Sequence, residues 1–274
     1  MKKIGFIDYY LSEWHANNYP AWIRKASENA GVDYRIAYAY AEKEISPVDG
    51  VSTDEWCAKF GAERCGSIAE LCEKSDVILI LAPSDPDKHL PYAEQALPYG
   101  KITYIDKTFA PDAETADKIF ALADRYNTPV FTSSALRYGT ELAEMGKPTA
   151  VITTGGGSNA PEYIIHQAEM VVKLLRDEPT AVTCVRQGGQ CVFHAAFAHG
   201  AKATMVYAPQ LPFTVCAESA DGAGRYAPIA SDTFGGLIAD IIRFYESGKP
   251  SFERVQTMQV MRLREMALKA LDTL

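Results

Sequence analysis

The chain has 274 residues, 47% hydrophobic and 23% charged, the composition of a soluble globular protein with room for two modest domains. Its 27 basic and 35 acidic side chains leave a formal charge of -8, which repels phosphate backbones, and no basic stripe offsets it, so nucleic-acid binding is not expected. No apolar run is long enough to span a bilayer or act as a signal peptide, and the six cysteines never form C-x-x-C, so a cytoplasmic protein with reduced thiols and no structural zinc is expected.

In chain order, IGFI at 4–7 reads as a first strand. A dinucleotide fold would continue into G-x-G-x-x-G, but Asp8, Tyr10 and Glu13 stand where the glycines belong. Aromatic-rich 34–40 reads as a strand, after which Glu42 is placed to meet a ribose. Ser67 and Glu70 form a capping-box pattern at a helix start. VILIL at 77–81 is apolar throughout, as in a parallel strand covered on both faces. His89 lies at a helix start, where it either lines a cleft or simply begins the helix. Strands at 101–105 and 129–131 flank a helix capped by Asp112, with Ala116, Ile119, Phe120 and Ala123 on one face. Repeated β-α-β predicts a doubly wound parallel sheet over 1–133, with ligands beyond the carboxyl ends of its strands.

Past residue 135 the pattern changes. A strand at 149–152 and a helix near 161–176 are followed by strand-like runs at 181–186, 190–197, 202–207 and 213–217. Breaks this short favour antiparallel pairing, so 134–274 reads as an α+β domain with an open, largely antiparallel sheet and two closing helices. GGGSNA at 155–160 matches G-x-G-x-x-A between a strand and a helix, yet a turn delivering the next helix is the better reading.

Three residues stand out chemically. Lys107 follows a strand directly, which places an ammonium at the carboxyl edge of the sheet. Glu162 and His166, four apart, share one helical face, where a carboxylate can orient an imidazole for proton transfer. Surface placement is the plainer alternative for each. Glu169 could share the same face.

Taken together, the helix, strand and P-x(n)-H segment at 67–97, the DKT at 106–108, the strand and helix after it, and the E-x-x-x-H of PEYIIHQAEM resemble the Gfo/Idh/MocA oxidoreductases. The family's usual E-K-P is here Asp106-Lys107-Thr108, and its D-x-x-x-H has Glu162 for the aspartate. The resemblance implies a Rossmann-like first domain and a sugar, polyol or related alcohol or ketone as substrate. It implies Lys107 and His166 flanking the reacting carbon, Glu162 in support, and a homo-oligomer formed through the open sheet, on which Val192, Met205, Val206 and Phe213 are expected to be exposed. An NAD or NADP site would involve Asp8, Tyr10, Pro83, His89 and Asp106. The opening turn works against that cofactor: Tyr10 and Glu13 add side chains where pyrophosphate must pass, and Asp8 and Glu13 add negative charge beside it. NAD(P)-dependent oxidation or reduction of such a substrate is the favoured reading, and weak or absent NAD(P) binding is expected if the turn leaves no room for pyrophosphate. The alternatives are a sugar-binding protein without redox activity and a cofactor-free isomerase or lyase.

Overall fold

The structure is a computed structural model that describes residues 1–83 and 85–273. It divides into two units, the first comprising Met1–Thr132 and Ile238–Ser251, the second Ser133–Leu237 and the residues from Phe252 on.

The first unit runs β1 (Lys2–Asp8), α1 (Trp14–Ala30), β2 (Tyr34–Ala41), α2 (Thr53–Phe60), β3 (Glu63–Arg64), α3 (Ile68–Lys74), β4 (Val77–Ile80), α4 (His89–Ala96), β5 (Thr103–Ile105), α5 (Ala113–Arg125) and β6 (Val130–Phe131). Every strand pairing is parallel, in the order β3-β2-β1-β4-β5-β6. The unbroken apolar run of β4 is buried at all four positions, as its composition required. Phe6 and Trp56 are fully buried and stacked, with ring centroids 5.6 Å apart. An aromatic side chain buried this way removes roughly 150–250 Å² from water, about 4–6 kcal/mol before entropy is counted. The order reverses between β1 and β4, which puts the ligand-binding crevice of such a sheet at their carboxyl ends.

Helix starts follow local chemistry. Asp112 caps α5 through the Thr115 N–H at 2.7 Å, and Ala116, Ile119, Phe120 and Ala123 are its buried face. Ser67 caps α3, but the Glu70 carboxylate takes the Gly66 N–H at 2.8 Å, one residue earlier than in a closed capping box. The closed box belongs to α2, between Ser52 and Glu55.

The second unit contains β7 (Ala150–Gly155), α6 (Ala160–Leu175), β8 (Pro179–Gln187), β9 (Gln190–Phe197), β10 (Lys202–Tyr207), β11 (Thr214–Glu218), β12 (Gly224–Pro228), α7 (Thr233–Ser247) and α8 (Arg254–Asp272). The sheet order is β12-β11-β7-β10-β9-β8. All pairings are antiparallel except β7 with β10, which run parallel because α6 and the β8–β9 hairpin intervene. Strand β12 had no counterpart in the sequence reading. Helices α6 and α8 cover one face. The other face carries Val185, Ile152 and Tyr226, all exposed, with half-buried Val192 and Val206. Met205 was expected there too, but strand alternation turns it to the covered face, where it is fully buried.

Helix α7 belongs partly to each unit. From Ile238 on it joins the first, where the Tyr245 hydroxyl donates to the Ile78 carbonyl at 2.9 Å and Phe244 packs on Phe131. A reading that ended the first domain near 133 did not include this return. No helix among the described residues is long and apolar enough to cross a membrane.

Candidate functional site

The carboxyl end of β1 is built from the residues that replaced the glycines. Asp8 is 1% exposed. Its Oδ1 accepts the Tyr9 N–H at 2.7 Å and the Ala82 N–H at 3.0 Å, while Oδ2 is buried without a hydrogen-bond partner among the described residues. Burial raises its pKa well above the ordinary carboxylate value, and the Glu13 charge adds to the effect. Asp106, at the end of β5, is equally buried. Its Oδ1 accepts the hydroxyls of Tyr19 at 3.2 Å and Tyr104 at 3.3 Å, and its Oδ2 has no hydrogen-bond partner among the described residues.

Ser12 and Ala82 take φ of 60° and 61°, a left-handed conformation that costs a side-chain-bearing residue roughly 1–2 kcal/mol. Ser12 thus makes by strain part of the bend that a glycine makes freely. Each is held by hydrogen bonds, Ser12 Oγ to Asp49 at 2.7 Å and the Ala82 N–H to Asp8.

Glu13 is the N-cap of α1. Its carboxylate accepts the N–H groups of His15, at 2.8 Å, and Ala16. Free amides at a helix start are what a pyrophosphate binds in this kind of fold. Here an internal carboxylate holds two of them. Glu42, expected to meet a ribose, takes Lys88 at 2.6 Å and the Tyr92 hydroxyl at 2.8 Å instead. Lys43 and Lys88 lie 4.6 and 4.5 Å from the centroid of the Tyr9 ring. The residues present therefore do not fit NAD(P) in its usual pose: two of the helix amides are taken, Glu42 is paired, and the added charge is negative.

What remains is a cavity of about 220 Å³ lined by Asp8, Tyr9, Tyr10, Glu13, Ala82, Pro83 and Asp85. Of the expected cofactor residues, Asp8, Tyr10 and Pro83 meet there. Burial and the charges of Glu13 and Asp8 raise the Tyr10 pKa. Lys107 is half-buried, and its Nζ donates to the Pro83 carbonyl at 3.3 Å, in the wall of the same cavity. His89 is not in the lining. It is fully buried, with Nδ1 3.1 Å from the Phe109 carbonyl and Nε2 against that of Leu81, so it ties β4 to the 109 segment. Desolvation lowers its pKa. Tyr9, Ala82 and Asp85 were missed as lining residues, and Glu13, read as crowding the pyrophosphate, was not foreseen as a helix cap. Glutamate is not among the preferred N-cap residues, so the pattern carried no cap signal at position 13.

In the second unit His166 is half-buried, its Nδ1 2.7 Å from Ser134 Oγ, with Tyr163 and Phe213 edge-on to the ring. The Glu162 carboxylate accepts from Ser158 at 3.0 Å and Asn159 at 3.2 Å, at the start of α6, which Asn159 caps. Glu169 lies on the same side of α6: its Oε2 accepts the N–H of Ser134, the residue whose hydroxyl meets His166, while its 6% exposed side chain is also ion-paired with Arg137. The glycines before α6 are there for packing. A Cβ on Gly156 would strike the carbonyls of Ala208 and Pro209, and one on Gly157 would enter the Tyr163 ring. Among the described residues, no three histidine, cysteine or acidic side chains group as metal ligands.

No protein-family model matches this sequence, and no curated protein is similar to it. Solved structures do match its fold. A myo-inositol dehydrogenase from Lactobacillus casei, solved with NAD(H) and myo-inositol, is 12% identical at a TM-score of 0.79, over 99% of this chain and 94% of that one. A probable dehydrogenase from Thermotoga maritima is 13% identical at 0.78, over 99% and 97%. UDP-N-acetylglucosamine 3-dehydrogenase GnnA from Acidithiobacillus ferrooxidans is 16% identical at 0.77, over 98% and 97%. At these identities the likeness is one of fold: the chain has the architecture of the Gfo/Idh/MocA-type dehydrogenases.

Proposed function

We propose that this chain, built on a sugar and polyol dehydrogenase fold, acts on a small hydroxylated molecule by proton transfer, with no dinucleotide held in the usual way. One observation carries the reading: the Glu13 carboxylate caps the helix amides that a pyrophosphate would need. The substrate class is supported by fold neighbours that are dehydrogenases of myo-inositol and of a UDP-sugar.

Without a hydride acceptor, a lysine and a histidine can still move protons. One takes a proton from the carbon next to a carbonyl while an acid protonates the carbonyl oxygen, giving an enediol. Returning a proton to the other carbon completes an isomerisation, and expelling a hydroxyl as water completes an elimination. The proposal gives these roles to Lys107 and His166, with Glu162 supporting the histidine. The chain is also proposed to assemble through the open face of its second sheet, where Ile152, Val185 and Tyr226 are exposed.

The test is solvent-proton exchange. Ketose and aldose sugars incubated with the protein in D2O are expected to take up deuterium next to the carbonyl, as read by NMR. Lys107→Ala and His166→Ala should each slow the exchange by about 10²–10⁴ while leaving circular dichroism unchanged. A folded protein that exchanges nothing, or variants that exchange as fast as the parent, would overturn the assignment.

A second reading, NAD(P)-dependent oxidation of the same class of alcohol, is favoured by the six-stranded parallel sheet and by the neighbour solved with NAD(H). Calorimetric titration separates the two. Binding of NAD(H) or NADP(H) at micromolar or better, roughly -8 kcal/mol, would replace the first reading with the second.

A further inference from the structure

We propose that Ser134 is a positioning residue that holds the neutral His166 ring with its proton on Nε2, so that the ring meets substrate as a hydrogen-bond donor to a carbonyl oxygen and not as the base. The part played toward substrate rests on the reading that His166 acts in the reaction, whereas the tautomer follows from the hydrogen bonds.

Ser134 is 0% exposed and caps the short turn Ala135–Tyr138. Its Oγ accepts the Leu136 N–H at 3.2 Å and lies 2.7 Å from His166 Nδ1. A hydroxyl has one hydrogen to donate and two lone pairs that accept. The Leu136 N–H takes one lone pair. The hydrogen needs an acceptor, because a buried donor left unpaired is costly. Among the described residues, Nδ1 is the one acceptor that meets this hydroxyl. An N–H at Nδ1 would instead face the hydroxyl as donor and leave the hydroxyl hydrogen with nothing to bond. The neutral ring therefore keeps Nδ1 bare and carries its proton on Nε2. A water molecule in the same place would donate or accept alike; a serine pinned by the Leu136 N–H donates.

Helix α6 fixes this serine at two points. The hydroxyl meets His166, and the Ser134 N–H donates to Glu169 Oε2 at 3.3 Å, the two α6 residues lying three apart on one helical face. Arg137 holds Glu169 in turn. The rings of Tyr163 and Phe213, with centroids 5.6 and 5.7 Å from that of His166, set its plane. A neutral ring with Nε2–H polarises a carbonyl oxygen and stabilises the negative charge that gathers there as an enediolate forms. It has no lone pair on Nε2 for the proton of an alcohol. The arrangement thus selects the carbonyl form of the substrate. In the reaction proposed above it leaves removal of the carbon-bound proton to Lys107.

The experiment is NMR of the full chain carrying nitrogen-labelled histidine, at a pH where the ring is neutral, with His166 assigned by its loss in His166→Gln. Long-range proton–nitrogen correlations tell the two tautomers apart. The parent should show Nε2–H and no Nδ1–H form. Ser134→Ala should admit the Nδ1–H form, and Ser134→Thr, which keeps the hydroxyl, should not. In the D2O exchange assay at saturating sugar, Ser134→Ala should be slower by about tenfold or more and Ser134→Thr within about twofold of the parent. An Nδ1–H tautomer in the parent overturns the proposal, and so does a folded Ser134→Ala that keeps the parent's tautomer. If Ser134→Ala does not fold, the hydroxyl proton decides: buried and bonded to Nδ1, it should give a slowly exchanging signal in the parent that His166→Gln loses, and its absence overturns the proposal. A parent that shows Nε2–H yet exchanges no sugar proton defeats the reading of the reaction, and the role toward substrate with it, while the positioning by Ser134 stands.

Discussion

Replacing Glu13 with glycine should restore part of a dinucleotide site. In the native chain the carboxylate bonds the His15 N–H at 2.8 Å and the Ala16 N–H beside it, and its side chain is 10% exposed. A phosphate seeking the same amides would lie within about 4 Å of that charge, where repulsion between unit charges is about 4 kcal/mol at an effective dielectric of 20. Counterions and side-chain movement reduce this, so a gain of about 1.4–2.8 kcal/mol, or 10- to 100-fold in NAD(H) affinity, is expected from Glu13→Gly. Folding suffers little, because glycine is itself an acceptable N-cap and costs only a few tenths of a kcal/mol relative to the best ones. Glu13→Ala frees the same amides but should lose about 1 kcal/mol of stability, roughly 2–4 °C in melting temperature. The assay is calorimetry with NAD(H) on parent and both variants, alongside thermal melts. If Glu13→Gly folds normally and gains no affinity, the carboxylate is not what keeps the dinucleotide out.

Asp8 supplies a pH signature. Its raised pKa, due first to burial, means that the folded chain holds this proton more tightly than the unfolded one. The stability so contributed is present at low pH and is lost as pH climbs from the ordinary carboxylate value, about 4, through the raised one. Asp8→Asn cannot titrate, so its stability relative to the parent should improve steadily above about pH 4 in urea melts, and a flat difference to pH 8 would contradict the assignment. Glu169→Gln should cost about 3–5 kcal/mol, because it leaves the Arg137 guanidinium buried without its carboxylate; a loss under 1 kcal/mol in chemical unfolding would mean that Gln256 and Phe252 suffice to hold the arginine. On the open sheet face, Ile152→Glu together with Val185→Glu should shift the assembly toward monomer in light scattering, and a parent already monomeric at high concentration would refute assembly through that face.

Much of the fold is written in local sequence. The apolar run of β4, the amphipathic spacing of α5 and its Asp112 cap each specify their element through burial period and hydrogen bonding over a few residues. So do the close-spaced strands after 179, whose short connections leave room for little but antiparallel neighbours. The substitution of Asp8, Tyr10 and Glu13 for glycine was likewise legible, together with its steric and electrostatic sense. Tertiary structure decided the rest, because those facts depend on partners far along the chain. The parallel pairing of β7 with β10 depends on what lies between them, and the return of 238–251 to the first unit depends on a tyrosine reaching a carbonyl 167 residues away. His89 became a scaffold residue because two distant carbonyls face its nitrogens, and Glu42 was diverted by Lys88 and Tyr92. Most consequential is Glu13: its identity is plain in the sequence, but only the folded turn sets its carboxylate on two helix amides and leaves one oxygen of Asp8 buried with no hydrogen-bond partner among the described residues.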